Sequence, residues 1–434
     1  MANTIGSTQP SSHLSLEKKG LDSESAQASA TPSISCQTSR QITVERIQFF
    51  TLCWSIIVTG WNDGTTGPLL PRIQSVYGIG YTTVSLLFVF ATVGFVSGAF
   101  LNVPLSDRFT FGQLMVLGAS LQAIAYAIDA VAPPFEVLCL GYAINGIGMA
   151  IQDGQANGYV ATMKRKPEKK MGILHAAYGA GALLAPLAST QFAQLKRWSF
   201  QYLVSMIIAL SNVCVLILVF KLRSADACIT EIGQDETVKS DETKSSLRQI
   251  FPLKSVHLLA LYILIYVGLE ATIGGWIVTY VLQARNGSPS SGYISTGFFG
   301  GMFNDSRFYS KKQTSRPVGI MLGRVGERRV LFLYFFIALG MELVIWFVPS
   351  VVGNAFAAAF LGFILGPWYP IGMNLAARII PPWLLAPSMG WIAGFGQAGS
   401  ALFPFITGVV AQKSSIHSFP PLYVFFPIRT PVLG

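Results

Sequence analysis

Four ionisable side chains, Asp63, Asp153, His175 and Glu270, fall inside long apolar runs of this 434-residue chain. A charge at the centre of a membrane helix costs about 2.5–3.5 kcal/mol on insertion scales, so such residues persist where they face a wet cavity or a partner. A carboxyl group whose access to water alternates can bind and release a proton. Asp63, Asp153 and Glu270 are therefore candidate proton-coupling groups. His175 opens its apolar run and reads as a packing or gating residue. Asp63 follows Asn62 and precedes Gly64, Gly67 and Pro68, a composition able to break or kink a helix and free backbone carbonyls for a ligand.

Hydrogen-bonding side chains accompany the acids. Asn145, Gln152, Asp153 and Asn157 follow helical spacing and form one polar stripe. Amides and acids pair with hydroxyls that both donate and accept, which suits a sugar-like solute. The other reading is glue between helices, at about 0.6 kcal/mol per bond. Asn62, Asn374 and Gln397 join the substrate-binding candidates. Trp276, Tyr369 and Trp391 could stack on a sugar face. The five cysteines are scattered, with neither metal nor disulfide spacing, so no cofactor or metal is expected. No nucleophile elbow, zinc spacing or phosphate loop is present, and "GAGALLAP" (179–186) reads as a packing motif because no strand precedes it. The chain is not expected to be an enzyme.

The elements that must position these groups are apolar helices. The chain is 52% hydrophobic and 12% charged, about half the charge of an ordinary soluble domain. Runs long enough to cross a bilayer lie near 47–70, 81–101, 112–132, 136–160, 171–193, 200–221, 256–282, 330–350, 353–377 and 385–411. Residues 1–43 read as a disordered cytosolic tail, 44–221 as a six-helix half, 222–254 as a mobile cytosolic linker and 255–434 as a second, incomplete half. With the N-terminus in the cytosol, inside loops carry 16 Lys or Arg and outside loops 5, as the positive-inside rule requires. The net charge of +10 is thus assigned to orientation and not to nucleic acid.

That count needs one more crossing between 282 and 330. "GYISTGFFGGMF" (292–303) and "VGIMLG" (318–323) together suffice, but Asp305, Arg307, Lys311, Lys312 and Arg316 lie between them. Two readings stand. One is a translated intron near 301–318, since Gly301-Met302-Phe303 can be encoded with GTATGT, a common fungal splice donor. The other is a genuine loop insertion. The tail after Ser415 holds no run long enough for a twelfth span.

Internal similarity links "GWNDGTTGP" (60–68) to "GLEATIGGW" (268–276), each with an acid followed four residues later by a glycine. Two halves of six spans joined by a charged linker is the layout of a secondary transporter with internal repeats. Over roughly 45–412 the chain resembles the major facilitator superfamily. The superfamily's loop signature matches at Gly319, Gly323, Arg324, Gly326, Arg328 and Arg329, with Gly323 where an acid is usual. Its first copy keeps Asp107 and Arg108 but has Val103 and Thr110 where glycines are expected. These residues form the implied gating loops. Within the superfamily, "WNDGTTGPLLPRI" (61–73), "GIGMAIQDGQANGYV" (146–160), "HAAYGAGALLAPL" (175–187) and "YVGLEATIGGWIVTYVL" (266–282) are similar to the fungal branch of the fucose–proton symporter-like group. This chain carries Asp153 where that group has Glu.

The resemblance implies an all-α polytopic membrane protein with the major facilitator fold, two six-helix halves, span 8 interrupted and span 12 incomplete. It implies a monomeric alternating-access carrier of a small polar solute, with a sugar as the expected class, coupled to protons and held in a plasma or internal membrane. The competing expectations are a non-transporting nutrient sensor and an inactive product of a mis-spliced gene model.

Overall fold

The computed structural model describes residues 38–163, 165, 167–234, 249–309 and 327–419, and all regular structure among them is helical. The membrane-crossing elements are α1 (Ser39–Tyr77), α2 (Tyr81–Ser106), α3 (Phe111–Ala130), α4 (Phe135–Thr162), α5 (Pro167–Gln194) and α6 (Phe200–Phe220). They continue with α7 (Lys254–Ala284), α10 (Val351–Ile379) and α11 (Pro382–Ser414), and between α7 and α10 lie two helices of lesser apolar length, α8 (Tyr293–Tyr309) and α9 (Glu327–Phe347). Among the described residues, nine helices are long and apolar enough to cross a membrane.

Helix α1 starts at Ser39, earlier than the proposed end of the tail at residue 43. Thr38 and Gln41 explain the start, because each caps the other's backbone amide in a capping box. The helix then runs through Pro68 and Pro71 without interruption and closes on Gly78 at φ 62°. The expected break at this sequence is absent. Pro68 still removes the donor that would reach the Gly64 carbonyl one turn back.

Packing follows a repeat. In the first half α1 packs on α5 and α2 on α4; in the second, α7 packs on α11 and α8 on α10. The halves meet through α1 with α7, α2 with α11, and α5 with α8. Shifting the helix number by six maps these pairs onto one another, as expected for a pseudo-two-fold repeat. Helices approach closely at small residues. A side chain on Gly60 would meet the backbone of Tyr178, and one on Gly67 would strike the Gly274 carbonyl. Gly67 and Gly274 are the equivalent glycines of the two repeat sequences, so the repeat places them against each other where α1 crosses α7.

Call the face where α1 begins the near face and the face where it ends the far face. At the far face the halves are hydrogen-bonded: Tyr81 and Gln74 reach Gln283, Gln191 reaches Tyr293, and Thr82 reaches the Gly408 carbonyl. Deeper, Thr92 and Ser400 share a bond of 3.2 Å.

The segment read as a linker begins with ordered structure. A short helix, Ala225–Glu231, is capped by Ser224 and buries Cys228 and Ile229 in the near-face core of the first half. Arg223 pairs with Glu231 at 2.7 Å. Residues 235–248 lie outside the described residues, as do 310–326, which hold the rest of the proposed 301–318 insert and the loop residues Gly319, Gly323, Arg324 and Gly326, the tail to residue 37, and 420–434. Residues 301–309 continue α8 as helix, and Gly301 sits against the backbone of Ala359 and Phe363 on α10.

Lys170 of α5 and Glu45 of α1 form an ion pair that is mostly buried at the near face. Lys170→Met should destabilise the protein by about 1–3 kcal/mol, because it takes a charged partner away from a buried carboxylate. A lowered melting temperature in detergent would register this, and Glu45→Gln/Lys170→Met together should recover part of the loss.

Candidate transport cavity

Asp63 lies in the middle of α1, a helix packed on both α5 and α7, yet its side chain is solvent-exposed. Its Oδ2 accepts from the Tyr178 hydroxyl of α5 at 2.8 Å, and its Oδ1 accepts from Asn62 Nδ2 at 3.1 Å. An exposed carboxylate held between central helices marks a cavity inside the bundle. Asn62 Oδ1 in turn accepts from Asn145 Nδ2 of α4 at 2.7 Å and from the Tyr126 hydroxyl of α3 at 3.3 Å. One continuous polar chain therefore joins α5, α1, α4 and α3.

Asp153 follows on α4, where Asn157 Nδ2 donates to its Oδ1 at 2.9 Å. Across the divide, Tyr266 of α7 stands one turn before Glu270 and interacts with its carboxyl group. Tyr178 lies within electrostatic reach of Asp63, Asp153 and Glu270, so the three acids stand near one another in the bundle. His175 and Tyr369, from opposite halves, bring their rings to 6.3 Å, and Tyr369 stands 6.3 Å from Tyr266. His175 and Asn374 are exposed, and Gln397 and Trp391 partly so. The central stretches of α1, α2, α4, α5, α7, α10 and α11 contribute no Lys or Arg among the described residues. Among the described side chains of these helices, the carboxyl groups of the cavity thus have no basic counterpart. Asn145 Oδ1 and Asn157 Oδ1 are buried acceptors with no partner, so the polar chain has capacity left for a hydroxyl donor.

Two sequence expectations fail here. Gln152 is fully buried between α3 and α4, accepting from Gln122 Nε2 at 2.7 Å and donating to the Met115 carbonyl at 3.1 Å. Both ends of its amide are used, so it is interhelical glue and not a substrate ligand. One residue turns a helix by about 100°, which separates Gln152 from the cavity-facing Asp153. Trp276 is also fully buried, with its Nε1 donating to the Pro404 carbonyl at 3.1 Å. It locks α7 to α11 and presents no face for stacking.

Of the gating residues, Asp107, Arg108 and Arg329 are exposed. Asp107 and Arg108 make no ion pair among the described residues. Arg328 lies in α9, but the position of its side chain is outside the description. Cys53, Cys139 and Cys228 are buried and Cys214 is exposed on α6. Among the described residues no cluster of His, Cys, Asp or Glu could hold a metal.

Sequence reasoning missed Tyr178, Tyr126 and Tyr266. A signal was present for the last, since Tyr266 and Glu270 are spaced i, i+4. It also passed over Asp129 on α3 and Glu342 on α9, both of which are buried.

The fold matches solved transporters. The chain superposes on the D-xylose-proton symporter with a TM-score of 0.69 at 12% identity, covering 87% of this chain and 94% of that one. It superposes on the nucleoside transporter NupG with a TM-score of 0.65 at 12% identity, covering 90% and 96%. In sequence it is 24% identical to "Bypass of stop codon protein 6" of Saccharomyces cerevisiae, over 87% of this chain and 79% of the relative. It is 21% identical to the glucose/mannose transporter GlcP of Bacillus subtilis, over 81% and 85%. The Major Facilitator Superfamily model matches residues 52–308, more than half of the chain. With paired helix bundles around a shared polar cavity, the chain belongs to the Major Facilitator Superfamily and is a multi-pass membrane transport protein, not an enzyme.

Proposed function

We propose that the chain is a proton-coupled carrier of a neutral, hydroxyl-rich solute of hexose size, working by alternating access. One observation carries this reading: the polar chain Tyr178–Asp63–Asn62–Asn145 lines a cavity that, among the described residues, holds three carboxyl groups and no Lys or Arg. Asn62, Asn145, Asn157, Asn374 and Gln397 contact the solute, and Asp63, Asp153 and Glu270 carry the proton. The name of the Bacillus relative and of the xylose structure support a sugar. The near face is cytosolic by the positive-inside count, and the carrier acts as a monomer in symport. The closed far face then makes this the inward-facing state. Asp107, Arg108, Arg324, Arg328 and Arg329 engage when the near face closes, which fits the lack of an ion pair at Asp107 and Arg108 among the described residues.

Charge gives a sharp test. Placing a carboxylate substrate among like charges costs several kcal/mol, so a hexuronate should compete roughly a hundredfold more weakly than the matching hexose. Competition against labelled hexose uptake in proteoliposomes measures this. Equal competition would show that the acids do not select the solute. Comparing chains with and without 301–318 in the same assay addresses the insert: on the intron reading the shorter chain is the more active one, and mature message lacks the segment.

A further inference from the structure

The contacts between the halves run through α1, α2, α5, α7, α8 and α11, which leaves α3 and α6 on the outer flank of the first half. A groove of about 740 Å³ opens there, between the far-face end of α3 and the start of α6. Its floor is apolar, with Ala127 and Val131 from α3 and its end, and Leu203 and Met206 from α6. Its rim carries Lys196 and Arg197, both exposed, in the turn that joins α5 to α6. No acidic side chain lines it. The nearest acid in sequence, Asp129, is buried with its carboxyl against Gly141 of α4. Arg197 is held over the Phe200 ring at 5.2 Å, and the Ser199 hydroxyl ties α6 to the Ala130 carbonyl at 2.8 Å. The rim is therefore braced beside the groove.

We infer that this groove binds one anionic phospholipid, with its phosphate at Lys196 and Arg197 and an acyl chain along Ala127, Leu203 and Met206. Three observations together favour that occupant. The bases stand at helix ends, the level of lipid headgroups. Two positive charges on the rim of a groove that no acid lines select an anionic over a zwitterionic headgroup. The apolar floor directly below them fits a hydrocarbon tail and offers nothing to a free anion. The inference does not depend on which solute is carried or on which way the chain faces.

Native mass spectrometry of the full chain in detergent, with phosphatidylglycerol or phosphatidylcholine of identical acyl chains, tests it. Phosphatidylglycerol should be retained at a roughly tenfold lower lipid concentration than phosphatidylcholine, the scale of a juxtamembrane basic pair. Lys196→Gln/Arg197→Gln, both at exposed positions, should abolish that preference, and Leu203→Trp should weaken retention of both lipids. Equal retention of the two lipids would overturn the site, as would a preference that survives the double substitution. Displacement of phosphatidylglycerol by millimolar inorganic phosphate would show a simple anion site and would also overturn it.

Discussion

Asp63→Asn is expected to lower proton-driven uptake roughly a hundredfold, the scale of losing a positioned proton carrier, while solute exchange between the two sides of the membrane continues. The amide keeps the shape of the acid and can still accept the Tyr178 hydroxyl. It cannot carry a proton. Coupling is therefore lost while the cavity and its solute contacts survive. Tyr178→Phe removes the donor that orients the carboxyl, and should reduce coupled uptake less, by roughly tenfold for one hydrogen bond to a charged group. Asp153→Asn and Glu270→Gln report whether the proton is shared among the three acids. If Asp63→Asn and Asp153→Asn both retain full pH-driven accumulation in proteoliposomes, the assignment of coupling to these residues fails.

Gly67→Leu should prevent the far face from closing. The α carbon of Gly67 faces the Gly274 carbonyl so closely that even a methyl group would collide with backbone. Backbone cannot swing aside as a side-chain tip can, so α1 and α7 must separate. Overpacking of this kind costs about 1–3 kcal/mol, sufficient to shift an equilibrium between inward and outward states by roughly tenfold to a hundredfold. A cysteine placed at Ser295, a fully buried residue of α8 whose hydroxyl lies beside Gly67, gives the readout. Ser295→Cys should be protected from impermeant thiol reagents in the parent and accessible after Gly67→Leu. Unchanged protection, in a variant that still inserts and folds, would remove the α1–α7 crossing from the closing surface.

Most of the helices could be read from the sequence because a bilayer imposes a length on each apolar run. Ten of those runs and the opening of an eleventh coincide with helices. Which helices pair could not be read, since small residues recur in nearly every run. The exception was the repeat around Asp63 and Glu270, where glycines four residues past each acid meet in space. The acids themselves were legible because the cost of burying charge makes them conspicuous. Their tyrosine partners were not, since a phenol in an apolar run reads as one more ring of the core. Asn145 and Gln152 share a helical face, yet only Asn145 reaches the cavity. Its neighbour at that depth is Asn62 of α1, whereas Gln152, two turns on, meets Gln122 of α3. Sequence periodicity gives direction around a helix but not which helix stands opposite. Trp276 fails for the same reason, because α11 covers it. Glu342 lay in plain view within "GMELVIWF" (340–347), and an acid at that depth should have been read by the rule that drew attention to Asp63.

The central claim is that this cavity moves a neutral hydroxylated solute with a proton. The most direct test is accumulation of labelled hexose by proteoliposomes containing the purified chain, with an inward proton gradient imposed and then collapsed by an ionophore. The account predicts accumulation above the external concentration, lost on collapse of the gradient and absent from Asp63→Asn. Saturable hexose binding with no flux, or flux indifferent to the gradient, would contradict it.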